Sequence, residues 1–98
     1  MGNSLLETLR ERRAAILQIA ARHGAENVRV FGSVARGEAG RDSDIDFLVN
    51  VGAHPSPWFP SGLIADLEAL LGHDVDVVTE SALHWYIREQ VLAEAQAL

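Results

Sequence analysis

The sequence predicts a small α/β (α+β) domain in which a mixed three-stranded sheet carries helices packed on one face. Three observations predict it. Apolar residues recur at helical period in the first quarter of the chain, between residues 63 and 71, and again toward the C-terminus. Short β-rich runs, 27–31, 44–51 and 74–79, lie between those helical segments. Gly and Pro fall at the joints between them and nowhere suggest a repeat or a linker.

The elements follow in the order α-β-(turn)-β-α-β-α, read as a single domain over residues 1–98. Ser4 followed by Glu7 has capping-box spacing, and Leu5, Leu6, Leu9, Ile16, Leu17 and Ala20 continue at helical period, so a helix is expected over 4–22 with Gly24 as its stop. Residues 27–31 alternate and end at Gly32. Ser33 is placed to cap a short helical turn through Arg36. Residues 44–51 read as the second strand, and residues 52–62, with their prolines, as a loop. A helix over 63–71 is followed by Gly72, a third strand over 74–79, and a last helix from Glu80 or Ser81 almost to the C-terminus. That helix is expected to turn Leu83, Ile87, Val91, Ala95 and Leu98 inward.

Composition excludes several function classes. The chain of 98 residues has no cysteine, which removes disulfides and thiolate metal sites. Its net charge of −6 argues against general nucleic-acid binding, which needs basic surface. Arg10, Arg12 and Arg13 form one basic cluster, read as a solvated helix face; Arg36 and Arg41 form another. No apolar run has membrane-span length and no signal peptide is evident, so the default expectation is a cytoplasmic protein with no membrane partner.

The chemistry concentrates in three aspartates. Asp44 and Asp46 are two apart on a strand, so both point to one face, roughly 7 Å apart along the chain. Ile45, Phe47 and Val49 then point to the core. Two adjacent carboxylates repel each other, and a divalent cation with oxygen ligands removes that cost. Asp76, on the next apolar strand, is placed to join them as a general base or as a ligand to a second metal; Asp74 reads as a solvated turn residue. Gly32 and Ser33 supply the complement, a turn whose N–H groups and hydroxyl suit a phosphate. Arg36 lies one helical turn later, and Ser43 is placed either to bond a phosphate oxygen or to cap the loop. A lone Gly-Ser turn or a lone Asp-x-Asp is common as plain structure; the combination is far more specific.

Gly32-Ser33-Val34-Ala35-Arg36-Gly37, then Ser43-Asp44-Ile45-Asp46, then Val75-Asp76-Val77 resembles the minimal nucleotidyltransferase (MNT) family of the DNA polymerase beta-like nucleotidyltransferase superfamily, antitoxin type. The resemblance covers residues 4–97 and implies the polymerase beta-like fold. It implies transfer of a nucleoside monophosphate from an NTP, ATP in characterised relatives, to an acceptor hydroxyl. By that likeness Gly32 and Ser33 hold the triphosphate, with Arg36 and Ser43 beside it. Asp44, Asp46 and Asp76 bind one or two Mg²⁺ ions, and Asp76 also serves as base.

The chain looks too short to hold its own acceptor site, so a partner or a second subunit is expected, as a homo- or hetero-oligomer. The resemblance implies a small helical HEPN toxin, adenylylated on a tyrosine. Two other readings compete: a catalytically silent antitoxin that neutralises by binding, and transfer to a small molecule of aminoglycoside type. Trp85 and Leu92, with Arg88 between them, suit a partner surface, and Trp85 equally suits packing under the Pro-rich loop. Trp58-Phe59 reads first as a loop anchor. His23 reads as favouring a helix C-terminus, and His54, His73 and His84 as incidental.

Overall fold

A computed structural model of the chain describes residues 4–40 and 42–98. Arg41, singled out with Arg36 above, lies outside the described residues. The elements are α1 (Leu5–Glu11), α2 (Arg13–Arg22), β1 (Ala25–Phe31), α3 (Ser33–Arg36), β2 (Ile45–Val51), α4 (Ser61–Leu71), β3 (Val75–Thr79), α5 (Trp85–Glu94) and β4 (Gln96–Ala97), with a 3-10 turn at Glu80–Ala82. The fold class matches the expectation, but the sheet has four strands rather than three, in the order β3-β2-β1-β4. β2 and β3 run parallel, and the other two pairings are antiparallel.

The first helix begins as its capping box predicts, with the Ser4 hydroxyl accepting from Glu7 N–H. It is then interrupted at Arg12, whose ψ of 15° bends the chain between α1 and α2. Arg12 reaches away from that bend and donates to the Leu70 carbonyl at the end of α4. Arg10 likewise donates to the Gln96 side chain and the Ala97 carbonyl. Part of the basic cluster read as a solvated face is thus tied to neighbouring elements.

β1 starts two residues earlier than expected because it contains a bulge. Glu26 faces Asn50 and Arg29 faces Leu48, which leaves one extra residue on β1. Asn27, at φ 51°, takes the left-handed conformation that the bulge needs, and Asn tolerates it better than most residues. The extra residue keeps Ala25, Val28 and Val30 all buried.

One sheet face carries Val30, Ile45, Phe47, Val49, Val75 and Val77, which form the core with Leu9, Ile16, Ala20, Leu63 and Leu67 from the helices. Burying a side chain of this size contributes about 1.5–3 kcal/mol, so this layer dominates stability. Gly62 lies inside α4 because that helix packs tightly: a Cβ there would meet His23 Cε1 at 2.9 Å and Trp58 Cβ at 3.0 Å. His23 does more than favour a helix end. Its Nδ1 pairs with Ser56 Oγ and its Nε2 with Asp66 Oδ2, both at 2.8 Å, fastening the Pro-rich loop to α4.

The C-terminal segment departs most from the periodic reading. The chain leaves β3 through the 3-10 turn, is extended at Leu83 and His84, and only then forms α5. Of the expected inward stripe, Val91 is buried, Ile87 is exposed, and Ala95 and Leu98 lie beyond the helix. The helix stops because β1 has a free edge. Gln96 and Ala97 pair with Val30 and Arg29 and cover it. Trp85 is 81% exposed and Trp58 74% exposed, so neither anchors the loop; Phe59 does, against the core. Among the described residues, no helix is long and apolar enough to cross a membrane.

Candidate active site

The side of the sheet away from the helical core carries the aspartates. Asp46 is in register with Asp76 across the parallel β2–β3 pair, so the two carboxylates stand side by side on one face. Asp44 lies just before β2, exposed, and its charge reaches Asp46. Asp74 is exposed ahead of β3, where its carbonyl accepts from Ile45 N–H. Among the described residues, none of the carboxylates of Asp44, Asp46 and Asp76 makes a hydrogen bond or an ion pair.

The same face of β2 is closed farther along. Leu48 is fully buried there, outside the main core cluster. Beside it Arg29 donates to Asn50 Oδ1 at 2.6 Å and lies 3.6 Å from Glu80 Oε1. Arg88 of α5 donates to the Glu80 carbonyl at 2.7 Å. Only the N-terminal end of the strand therefore presents open carboxylates.

Gly32 brings the turn up to that end. At φ 73° and ψ −150° it occupies a region that L side chains avoid. A Cβ on it would lie 2.5 Å from Asp46 Oδ2. The turn and the carboxylate are thus packed together: the positive φ favours glycine, and a Cβ there would also displace the Asp46 carboxylate. Ser33 opens α3, and its hydroxyl has no partner among the described residues. Val34 and Ala35 are buried and fix the short helix. Ser43 takes the loop-cap alternative, its Oγ accepting from Gly40 N–H at 2.8 Å.

Burial pushes the Asp46 carboxyl above its ordinary value; the charges of Asp76, Asp44 and Glu94 push the same way, and Arg36 opposes them. A cleft of about 390 Å³ lies next to the site, lined by Asp42, Ser43, Glu68, Gly72, His73 and Asp74. It is lined by neither Asp46 nor Asp76, so the carboxylates stand on an open face beside it. Among the described residues, no group of three His, Cys, Asp or Glu is gathered tightly enough to hold a metal by protein ligands alone. The oxygen-only donor set still fits a hard divalent cation, which takes one or two carboxylates and fills its other positions with water and substrate oxygens.

One residue of this site escaped the sequence reading. Glu94, at the end of α5, accepts from Gly32 N–H at 2.9 Å and from Arg36 Nη1 at 3.3 and 3.2 Å. Arg36 also donates from Nε to Glu38 at 2.7 Å, and these two carboxylates, Glu38 foremost, raise its pKa. No spacing signal marks Glu94, because its place depends on where α5 ends.

Comparison with known proteins fits this geometry. Residues 10–98 match the family described as nucleotidyltransferase domain. The chain is 44% identical over 77 residues to the protein adenylyltransferase MntA of Thermococcus cleftensis, covering 79% of this chain and 78% of that protein. A solved structure described provisionally as a minimal nucleotidyltransferase is 55% identical, with a TM-score of 0.83 and 95% of each chain covered. A crystal structure of a toxin–antitoxin with AMP-PNP shares the fold at 23% identity, with a TM-score of 0.72 over 86% of this chain and 69% of that one. The chain belongs to the minimal nucleotidyltransferases of the nucleotidyltransferase-domain family.

Proposed function

We propose that this nucleotidyltransferase transfers AMP from ATP, with Mg²⁺, to a hydroxyl of a protein partner in the cytoplasm, as the antitoxin of a toxin–antitoxin pair. The observation that carries the reading is the register of Asp46 with Asp76, two unpartnered carboxylates of which Asp46 lies against the Gly-Ser turn. The relative named protein adenylyltransferase and the toxin–antitoxin structure with AMP-PNP support the choice of nucleotide and of partner class. The small helical HEPN partner and its tyrosine hydroxyl as acceptor are part of the same proposal.

In this reading Gly32 and Ser33 bind the β- and γ-phosphates through N–H groups and the hydroxyl. Arg36 adds charge to the same end of the nucleotide. Asp44 and Asp46, with Asp76, would hold Mg²⁺, which when bound neutralises the triphosphate and polarises its phosphorus–oxygen bonds. Asp76 takes the proton of the attacking hydroxyl. The hydroxyl oxygen bonds to the α-phosphorus as the bond to the bridging oxygen breaks, and pyrophosphate leaves. Positioning and charge complementarity carry such transfers, with little covalent work for the protein.

The test is incubation of the chain with α-labelled ATP, Mg²⁺ and the helical protein encoded beside it. Label is expected on a tyrosine of that protein and is expected to vanish with Asp44→Asn/Asp46→Asn. Stable complex formation without label would overturn transfer. Neutralisation that persists with the double variant would favour the silent antitoxin instead.

A further inference from the structure

Glu94 occupies the position of an anion. Its Oε1 accepts from the backbone N–H of Gly32, and both its oxygens accept from Arg36. A carboxylate edge and a phosphate edge present similar acceptor pairs to a backbone N–H and a guanidinium. Gly32 N–H and Arg36 are the groups assigned above to the triphosphate.

We propose that Glu94 is a built-in competitor for the triphosphate, holding its donors in the free protein and swinging aside when nucleotide binds. The inference rests on the nucleotidyltransferase reading and adds to it a residue that sets nucleotide affinity. Three features support it. The Glu94 side chain is 20% exposed, so it is drawn into the site yet has a way out. It is the last residue of α5, with extended backbone at Ala95, so its departure leaves the helix intact. Arg88 still ties α5 to Glu80, and Glu38 still aims the Arg36 guanidinium after Glu94 has left. The charge of Glu94 also repels that of Asp46, and its departure removes that repulsion.

A plain brace would behave in the opposite way. If Glu94 only stiffened the turn, its loss would loosen Gly32 and weaken phosphate binding. The sign of the change therefore separates the two roles.

The experiment measures binding of a non-hydrolysable ATP analogue with Mg²⁺, of inorganic tripolyphosphate, and of adenosine to wild type, Glu94→Ala and Glu94→Gln. Glu94→Ala is expected to bind the first two about tenfold tighter, or about 1.4 kcal/mol, with adenosine unchanged. Glu94→Gln, which loses the charge and keeps an acceptor for Gly32 N–H, is expected to fall between. Equal or weaker analogue binding by the variants, with wild type binding normally, overturns the competitor and leaves the proposed function standing. If neither wild type nor variants bind the analogue, the proposed nucleotide site falls and the competitor falls with it. If Glu94→Ala fails to fold by thermal melting, Glu94→Gln decides: tighter binding supports the competitor, and equal or weaker binding overturns it.

Discussion

Asp46→Asn should stabilise the metal-free protein while abolishing transfer. Asp46 and Asp76 face each other across paired strands, which lie about 4.8 Å apart. Two unit charges about 5 Å apart repel by about 0.8 kcal/mol in water and about 3 kcal/mol at an effective dielectric of 20. Asp46 is half-buried and Asp76 exposed, which places the relief near the lower end, about 1 kcal/mol. A domain of this length gains about 4–8 °C in melting temperature for each kcal/mol. The pH dependence fixes the sign. The folded Asp46 carboxyl titrates above its ordinary 3.8. Below that ordinary value both states carry the proton and the group costs nothing. As pH rises through the folded pKa, the native state must accept a charge it disfavours, and stability is lost. Thermal melts in chelator should therefore show the variant level with wild type at strongly acid pH and several degrees higher at neutral pH. Added Mg²⁺ with nucleotide should raise the wild type more than the variant and narrow the gap. A variant that melts at or below wild type at neutral pH in chelator would show that the carboxylates do not strain the fold.

Three further outcomes are expected. Gly32→Ala combines a positive φ with a Cβ against Asp46 Oδ2, and should cost about 1–3 kcal/mol in urea denaturation and eliminate transfer; wild-type behaviour in both would contradict the close contact. His23→Ala removes the side-chain bonds to Ser56 and Asp66 and should cost about 1–2 kcal/mol, with faster proteolytic cutting of residues 52–60; unchanged cutting would mean that Phe59 and the backbone bonds to His23 and Gly24 suffice to hold the loop. Gln96→Ala removes the donor to the Ala35 carbonyl and the acceptor for Arg10, and should cost about 1 kcal/mol and weaken nucleotide binding; a lower melting temperature with unchanged affinity would confine Gln96 to stability.

The parts of the fold that were legible are those set by local chemistry. The capping box at Ser4, the alternation around Ile45, Phe47 and Val49, and the stripe of α4 all act within a few residues, and each is found where the pattern puts it. The break at Arg12 has no Gly or Pro to announce it. The bulge at Asn27 shifts β1 by one residue, a change visible only once β2 supplies a register. The full burial of Leu48 on the aspartate face was hidden for a similar reason: alternation assigns faces but cannot say what covers the second one. The juxtaposition of the aspartates was readable because two strands of one sheet must bring matched residues together. That Glu94 already held the donors of the Gly-Ser turn was not, since both of its partners lie far away in sequence.

The end of α5 explains why. In an uninterrupted helix Glu94 and Gln96 would lie about 200° apart around the axis, on opposite faces. Instead Ala95 is extended, at φ −62° and ψ 138°, and both side chains reach α3. Glu94 binds the N–H that opens α3, and Gln96 Nε2 donates to the Ala35 carbonyl near its end, at 3.0 Å. A single residue out of helical register thus lets the C-terminal segment hold the Gly-Ser turn and α3 from both sides; under the competitor proposal the first contact opposes nucleotide and the second braces its seat. Opposite changes in nucleotide affinity for Glu94→Ala and Gln96→Ala follow from that geometry. Changes of one sign would mean that the segment acts on the turn only as a strut.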